Sequence, residues 1–508
     1  MIFLVAAALL LVLQGNRLVF TNDEGILLEP AQRIASGAQP YTGFFAYMSP
    51  GSYWLQAFVF RWLGVSLWTG RVPVILDFAL QCALIYWLTA LLASWRAAVA
   101  VILMFAGFQA ADPSFLTAQH RWDSATFALA GLCVAAGSMR RSTSSPQWAI
   151  SGALLGAAAW CTPSVGLVAA IAVLWIAVSR ERRKALIPFA AGILAVSVMA
   201  VGLLAANGSF GAFLSQMTWL KHNYSSVNVM SYGSVIGGYG PLLEGAAGFE
   251  WIVRAVLVAC VALPALLPPV AVILWLIVWW RNEWDQSDRT MLVLLLPAMI
   301  ALVMTAFPRA DVMHLAFVAA LPYVLSGAAV ARLVSARVAR PVSCVMVLLA
   351  GIFGMNLAVG WRAATLVSSP VGSVRVAKDQ ASNVQKLLAA VHPGQSLYVH
   401  PYMPFYYFLT QARNPTRYSF LSPGMMTSRE EQEVLKELQA DPPEWLLYLD
   451  LHREEFLRIF PQAAGLYARF ETLESWLDIH YRPVQDPGVN VAGYQLWQRV
   501  SPEVSKLQ

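Results

Sequence analysis

The sequence predicts a polytopic, all-α membrane protein with a small C-terminal α/β domain outside the membrane. Of the 508 residues, 58% are hydrophobic and only 12% are charged, whereas about a quarter of the residues of a soluble globular protein are charged. The apolar residues also form long blocks between short charged segments, as in helices that cross a bilayer. A soluble enzyme, a disordered chain and a disulfide-rich secreted scaffold are therefore excluded.

The charge of the chain divides it into two parts. Residues 1–364 contain 21 Lys and Arg against 13 Asp and Glu, whereas residues 365–508 contain 13 against 15. We therefore predict a membrane body over 1–364 and a soluble domain over 365–508. The basic excess is spread over loops that face lipid, so the sequence does not indicate a nucleic-acid partner.

Apolar stretches of about 17–25 residues predict membrane spans, and we place about eleven of them. They cover residues 2–20, 72–94, 97–112, 124–139, 147–162, 164–179, 185–206, 251–280, 290–307, 315–335 and 342–361. Pro264, Pro268 and Pro269 interrupt the eighth stretch, which is therefore either one kinked helix or two short ones.

Basic residues in five short connectors predict the orientation. By the positive-inside rule these connectors face the cytoplasm. The first external loop (21–71), the external loop 207–250 and the C-terminal domain then lie outside, which predicts a multi-pass protein of the plasma (inner) membrane with a periplasmic domain. The twelve residues are Arg96, Arg140, Arg141, Arg180, Arg182, Arg183, Lys184, Arg281, Arg289, Arg332, Arg337 and Arg340.

The C-terminal domain has the pattern of a small α/β fold. Apolar spacing predicts helices near 384–391 and 430–438 and strands near 397–399 and 445–449. The domain contains no GxGxxG, P-loop or nucleophile elbow. We therefore interpret it as a cap or docking module without chemistry of its own.

An acidic pair follows the first span. Acids are costly in a membrane protein and so point to function. Asp23 and Glu24 open an amphipathic stretch, Ile26 to Ile34, which ends at Gly37. A helix lying along the membrane surface would hold a carboxylate there. The alternative is that the two acids cap the helix and interact with its dipole.

The acidic pair begins an ordered series of motifs. The series is Asp23-Glu24-Gly25, Ser36-Gly37, Pro40-Tyr41, Ser49-Pro50-Gly51-Ser52-Tyr53-Trp54, Phe60 to Gly64 and Arg71-Val72-Pro73. It resembles the first external loop of the GT-C glycosyltransferases, the family of protein O-mannosyltransferases and of the bacterial transferases of aminoarabinose to lipid A. The resemblance implies a GT-C fold and inverting transfer of a sugar from a polyprenyl-phosphate carrier to an extracytoplasmic lipid, glycan or protein.

The resemblance also implies catalytic residues. A carboxylate takes the acceptor's proton during attack on the anomeric carbon, while the lipid phosphate leaves without being protonated. The family motif assigns this base to Asp23, with Glu24 beside it. A second acid is implied at the outer start of the fourth span, which here is Asp123. The alternative for Asp123 is an interfacial ion pair with Arg121.

The leaving phosphate needs cations, and here the chain departs from the family. The aminoarabinose transferases carry a Lys, and the mannosyltransferases a His, where this chain has Ser49. A substitute is the turn between the ninth and tenth spans, where Arg309 would clamp a phosphate and His314 would donate to it, with Asp311 between them. Arg33 and Lys221 are further candidates. The alternatives are a salt-bridged turn and simple interfacial anchors.

The sequence predicts no tightly bound cofactor. The five cysteines lie in apolar runs without CxxC spacing, and HExxH and DxD are absent. A weakly held divalent ion near Asp23 stays an open alternative. Two other functions also stay open: a transporter or flippase for a lipid-linked saccharide, and an inactive GT-C-like scaffold. A transporter needs polar groups near the midplane, and Asp77 is the obvious one there.

Overall fold

The computed structural model describes residues 1–110, 112–140, 145–235, 238–281, 286–466, 469–485 and 488–500. Arg141, one of the predicted connector residues, lies outside these ranges. Up to Ala363 the described residues form seventeen α-helices, besides short 3-10 turns. These are α1 (Ile2–Gln14), α2 (Asn22–Ala35), α3 (Pro50–Leu63), α4 (Leu67–Leu92), α5 (Trp95–Ala110), α6 (His120–Arg140), α7 (Ser145–Cys161), α8 (Gly166–Val178), α9 (Leu186–Ala206), α10 (Phe210–Val227), α11 (Gly240–Leu243), α12 (Gly248–Val261), α13 (Leu263–Arg281), α14 (Gln286–Met304), α15 (Val312–Phe317), α16 (Ala320–Leu333) and α17 (Ala336–Ala363).

The predicted spans all overlap helices of the membrane body. The eighth span contains two helices, because α12 ends at Val261 and α13 begins at Leu263. Among the described residues, four helices are long and apolar enough to cross a membrane, namely Leu67–Leu92, Arg183–Ala206, Leu263–Arg281 and Arg337–Ala363, and five apolar helices are shorter. The chain is a multi-pass membrane protein, and the number of eleven crossings stays a prediction.

The helices of the body pack in close pairs. Helix α7 lies between α6 and α9, α5 between α4 and α17, and α13 against α16. The outer helices α9 and α17 expose apolar side chains such as Leu194 (63% exposed) and Leu348 (66% exposed). Such surfaces face lipid in a membrane, where burial of apolar groups against lipid replaces burial in a core.

Glycine allows the closest of these approaches. A Cβ atom on Gly192 of α9 would lie 2.0 Å from the carbonyl oxygen of Ala149 in α7. The two backbones therefore touch at this point, as small residues permit between membrane helices.

The first external loop contains the two helices that the motif series predicts. Helix α2 begins at Asn22 and ends at Ala35, and α3 begins at Pro50 and ends at Leu63. However, α2 does not lie on an open membrane surface, because every residue from Glu24 to Ala31 is buried. It packs between α3 and the C-terminal domain.

The segment 207–250, predicted as a loop, begins with the regular helix α10. Gln216 of this helix accepts a hydrogen bond from the Ala46 backbone nitrogen at 2.7 Å and donates one to the carbonyl oxygen of Tyr41, also at 2.7 Å. Trp219 packs edge-on against Phe45. Helix α10 is therefore fixed to the first external loop.

The C-terminal part forms the predicted α/β structure. Its described helices are α18 (Lys378–Ala390), α19 (Phe405–Thr410), α20 (Ser428–Ala440), α21 (Arg453–Ile459) and α22 (Glu471–His480). The strands are β1 (Thr365–Ser369), β2 (Gly372–Val376), β3 (Leu397–His400), β4 (Trp445–Tyr448), β5 (Tyr481–Pro483), β6 (Asn490–Val491) and β7 (Tyr494–Arg499). Strands β1 and β2 form a hairpin. The main sheet has the order β3-β4-β7-β5, with β6 also paired to β7, and only β3 and β4 run parallel.

The first external loop and the C-terminal part share one hydrophobic core. Tyr41, Phe45 and Tyr53 of the loop belong to the same buried cluster as Phe405 and Phe420. At Gly25 the backbone of α2 meets that of α19, since a Cβ there would lie 2.2 Å from the nitrogen of Phe405. The C-terminal part thus holds the segment that carries the acidic pair.

The contact between α7 and α9 is directly testable. We expect Gly192→Ala to destabilise the protein by about 1–3 kcal/mol, because the added methyl group overpacks the interface. Gly202→Ala in the same helix is the matched control, since a Cβ there meets no atom within 4 Å. Thermal unfolding of the detergent-solubilised variants measures both. Equal midpoints for the two variants would contradict this packing.

Candidate active site

A cavity of about 240 Å³ lies between the first external loop, the start of α6, α10 and the turn after α14. It contains a carboxylate, a guanidinium group, imidazoles, hydroxyls and apolar side chains. The lining residues are Asp23, Ile26, Tyr47, Met48, Ser49, Gln119, His120, Arg121, Cys161, Thr162, Pro163, Ser164, Leu220, Tyr224, Thr305, Phe307, Pro308 and His314.

Asp23 lies at the beginning of α2 with its carboxylate in this cavity. Its Oδ2 accepts a hydrogen bond of 2.6 Å from Nε2 of Gln119, which precedes α6. The side chain is only partly enclosed. Asp23 is therefore oriented by one donor and remains accessible to a group in the cavity.

Glu24, the neighbouring residue, has a different environment. It is fully buried and forms an ion pair with Arg71 of α4, which is also fully buried. Its Oε2 accepts from Nη2 of Arg71 at 2.8 Å, and its Oε1 accepts from Nε of Arg71 and from the backbone nitrogen of Ala118 at 3.1 Å. Glu24 is thus saturated with donors from α4 and from the segment before α6.

Arg71 also donates hydrogen bonds to three backbone carbonyl oxygens. Its Nη1 donates to the carbonyl oxygens of Gln14 at 3.3 Å and Leu116 at 3.4 Å, and its Nη2 donates to that of Arg17 at 3.2 Å. The five N–H groups of a guanidinium are therefore all used. A buried ion pair is tolerated only when its remaining hydrogen-bonding groups are satisfied in this way.

Asp123 lies one helical turn beyond Gln119 and points into the bundle. It is buried, and it lies beside Ser52 of α3 and Asp77 of α4. Gln81, one turn after Asp77, is also buried and donates to Thr126 at 2.9 Å. The predicted partner of Asp123, Arg121, instead points into the cavity.

Arg121 is the cation that lines the cavity with Asp23. Its Nη1 donates to the carbonyl oxygen of Thr305 at 3.1 Å, which fixes the guanidinium group against the end of α14. Among the described residues it has no carboxylate partner within ion-pair distance. Most of its N–H groups thus remain available to a ligand.

In the turn between α14 and α15, hydrogen bonds join the three predicted residues Arg309, Asp311 and His314. Asp311 caps α15, because its Oδ1 accepts from the backbone nitrogen of His314 at 2.9 Å, and the same oxygen contacts Nδ1 of that imidazole at 2.8 Å. Its Oδ2 accepts from Nε of Arg309 at 3.0 Å. Arg309 also donates to Asn228 at 3.2 Å and lies over the ring of Phe460.

The hydrogen bonds and burial in this turn determine the protonation states of Asp311 and His314. Burial opposes ionisation of Asp311, but the hydrogen bonds with His314 and the positive charge of Arg309 lower the pKa of its carboxyl group to about 2. Burial lowers the pKa of His314 below its ordinary value, although the hydrogen bond with Asp311 opposes this. At neutral pH the imidazole is therefore neutral and Asp311 is a carboxylate. Of the three, only His314 lines the cavity.

Two predicted cations lie away from the cavity. Arg33 forms an ion pair with Glu29 one turn earlier in α2 and lines a separate cavity of about 350 Å³ against the C-terminal part. Lys221 is exposed on α10, whereas its neighbours Leu220 and Tyr224 line the cavity with Asp23. The structure thus brings Asp23 together with His314 but not with Arg33 or Lys221.

Sequence reasoning missed Gln119, Arg121 and Tyr224. Gln119 and Arg121 lie four and two residues before Asp123, the acid predicted there. The signal for them is their position at the beginning of α6, which starts at His120, because residues at the end of a spanning helix lie at the membrane surface. In the part of the chain that the structure describes, no group of three or more His, Cys, Asp or Glu is arranged to hold a metal ion.

Comparison with known proteins identifies the fold. No protein-family model matches the chain, and no curated protein matches it in sequence. ArnT from Cupriavidus metallidurans bound to undecaprenyl phosphate superposes with a TM-score of 0.56 at 14% identity, over 98% of both chains. The chain has the GT-C fold. The oligosaccharyltransferase from Archaeoglobus fulgidus, in complex with zinc and sulfate, superposes with a TM-score of 0.51 at 13% identity, over 98% of this chain and 73% of that one.

The GT-C fold predicted from the motif series is therefore confirmed, together with the small C-terminal α/β structure. At these identities the likeness concerns the arrangement of the chain. The chemistry of the GT-C-type cavity has to be argued from its own residues.

The ion pair beside the cavity should be essential for folding. We expect Glu24→Gln to lower the free energy of unfolding by about 3–5 kcal/mol, because the buried Arg71 would lose its counter-charge. Asp441→Asn is the matched control: Asp441 pairs with Arg413 on the exposed surface of the C-terminal part, and such pairs contribute about 0.2–1 kcal/mol. Chemical denaturation of both variants measures the difference. A loss no greater than that of the control would exclude a structural role for the buried pair.

Proposed function

We propose that this protein is an inverting glycosyltransferase that transfers a sugar from a polyprenyl-phosphate carrier to an extracytoplasmic acceptor. The observation that carries the proposal is that Asp23 and Arg121 line the same cavity. Group transfer from a phosphate needs a proton acceptor on the incoming side and a cation on the outgoing side. The undecaprenyl phosphate bound to ArnT, which has the same fold, supports a lipid phosphate as the donor.

Asp23 acts as the general base in this proposal. The acceptor hydroxyl gives its proton to the carboxylate of Asp23 while its oxygen forms a bond to the anomeric carbon of the donor. Gln119 orients that carboxylate through the 2.6 Å hydrogen bond. Glu24 positions the loop instead of touching substrate, because both of its oxygens accept hydrogen bonds from Arg71.

Arg121 binds the leaving phosphate. The bond between the anomeric carbon and the phosphate oxygen breaks, and its electron pair remains on the phosphate, whose charge the guanidinium group stabilises. Arg121 thereby supplies the cation that the family carries as Lys or His at the position of Ser49. His314, held by Asp311, presents a neutral imidazole to the same cavity.

The isoprenoid chain enters beside Phe307. This side chain lines the cavity and is 44% exposed at the end of α14. Leu220 and Pro308 continue the apolar wall. A polyprenyl chain in the outer leaflet therefore reaches the cavity without crossing its polar groups.

The C-terminal domain, 365–508, is placed outside the cytoplasm in this proposal. It shares a core with the loop that carries Asp23, and the positive-inside rule puts that loop outside. The domain caps the membrane body and holds α2.

Replacement of the base separates catalysis from binding. We expect Asp23→Asn to lower kcat by about 10²–10⁴-fold, because general base catalysis contributes that much, and to leave donor affinity nearly unchanged. The protein is reconstituted with a panel of polyprenyl-phosphate sugars, and turnover and donor binding are both measured. Asp379→Asn is the control, since Asp379 is also an acid in the first turn of an external helix but lies outside the cavity.

Two results would contradict the assignment of Asp23. Equal turnover by the wild type and Asp23→Asn would exclude Asp23 as the general base. Donor binding without any turnover by the wild type would favour a transporter or an inactive scaffold.

Replacement of Arg121 should weaken binding of the donor's phosphate group. We expect Arg121→Gln to weaken donor binding roughly 10- to 100-fold, because a hydrogen bond to a charged group contributes about 1.5–3 kcal/mol. Arg121→Lys should recover part of this, since it restores the charge but not the planar fork. Binding of polyprenyl phosphate without sugar measures the effect. Arg254→Gln, on the exposed face of α12, is the control, and similar affinities for Arg121→Gln and the control would contradict the proposal.

A further inference from the structure

A third cavity lies beside Arg17, whose carbonyl oxygen accepts a hydrogen bond from Arg71. It has a volume of about 420 Å³ and is bounded by the segment after α1, the turn after α5, the end of α17 and the start of α18. None of the residues of the first cavity lines it. Its lining residues are Arg17, Leu18, Val19, Phe20, Asp112, Pro113, Ser114, Gly360, Ala363, Ala364, Arg375, Ala377 and Lys378.

We infer that this cavity binds the phosphate of an anionic lipid headgroup in the outer leaflet. Three of its lining residues are cations, Arg17, Arg375 and Lys378, and one, Asp112, is an acid. One carboxylate oxygen of Asp112 already accepts from the nitrogen and the hydroxyl of Ser114, at 2.9 and 2.7 Å. The cavity thus has an excess of positive charge where the membrane ends.

Arg17 lacks an acceptor of its own. Its guanidinium group lies against Gly360 of α17, and its Nη1 is enclosed without a hydrogen-bond partner in the described residues. An enclosed charged donor without a partner is costly, and a phosphate oxygen would provide the missing acceptor.

Arg375 and Lys378 are held at the wall of the cavity by the fold. The backbone of Arg375 exchanges hydrogen bonds of 2.7 Å with Asn16 and Leu18, and its guanidinium group lies 4.0 Å from the ring centre of Trp361. Lys378 is the first residue of α18, where the helix dipole disfavours a cation. An anion bound between the Lys378 ammonium group and the N-terminus of α18 would offset this unfavourable interaction.

The surroundings indicate a lipid as the source of the phosphate. The cavity lies where α1 and α17 end, and both helices expose apolar side chains just before it, with Val12 54% and Val359 65% exposed. Trp361 lies at the same level, as aromatic residues do at a membrane interface. Acyl chains along these two helices would therefore place a headgroup at the three cations.

The site adjoins the segments that build the first cavity. Phe20 precedes Asp23 by three residues, and Ser114 precedes Gln119 by five. Arg71 contacts both segments through the carbonyl oxygens of Arg17 and Leu116. A headgroup bound here would hold the walls of both cavities, and its binding does not depend on the proposed transferase activity.

Binding of short-chain lipids tests the inference. The full chain in detergent is titrated with dihexanoylphosphatidylglycerol, dihexanoylphosphatidylcholine and glycerol 3-phosphate, and the thermal midpoint is followed. We expect saturable stabilisation by the phosphatidylglycerol and much weaker effects of the other two. In Arg375→Gln/Lys378→Gln, half-saturation should need about thirtyfold more lipid, because each cation near an anionic lipid contributes about fivefold.

The controls decide between the sources of phosphate. Arg429→Gln/Lys436→Gln removes one Arg and one Lys from α20 of the same domain, away from the cavity, and should bind like the wild type. Should the double variant not fold, Lys378→Gln alone, which changes an exposed side chain, should show the fivefold loss. Equal affinity of the cavity variants and the control, equal effects of the two lipids, or equal stabilisation by glycerol 3-phosphate would each overturn the assignment of an anionic lipid.

Discussion

The ion pair between Glu24 and Arg71 is the interaction on which the outer face of the protein depends. Placing a carboxylate and a guanidinium group in a buried site is costly unless every donor and acceptor is satisfied. Arg71 meets that condition by donating to Glu24 and to carbonyl oxygens at the end of α1 and before α6. The end of α1, the start of α2, α4 and the segment before α6 are therefore fixed to one another, and residues of these segments line the cavities that contain Asp23 and Arg17.

The C-terminal part also holds the segments that the ion pair fixes. Helix α2 has the ion pair at its first turn and the backbone of α19 against Gly25. Helix α10 holds the following segment through Gln216. Since the loop and the domain share one core, neither is expected to keep its conformation without the other. The C-terminal part thus fixes the loop that carries Asp23.

Local patterns predicted much of this structure, and contacts distant in sequence account for what they did not predict. The amphipathic stretch from Ile26 to Ile34 predicted the middle of α2 but not its start at Asn22, and the order of the motifs predicted the GT-C fold. The proximity of Arg121 to Asp23 depends on packing between segments about a hundred residues apart, which no local pattern encodes. Lys221 was a candidate within a predicted loop, whereas the segment is helical and places Leu220 and Tyr224, not Lys221, in the wall of the cavity. Arg33 was an interfacial candidate, yet Glu29 lies one turn before it and takes up its charge.

The adjacent acids show why a carboxylate pair in sequence is not a pair in function. Consecutive residues of a helix point about 100° apart, so Asp23 and Glu24 at the start of α2 face different surroundings. Glu24 faces α4 and forms a buried ion pair with Arg71, and neither residue lines the first cavity. Asp23 faces the cavity, where a single amide donates to it and Arg121 is the nearby lining cation. The fold therefore uses one acid for its own stability and leaves the other accessible to a ligand.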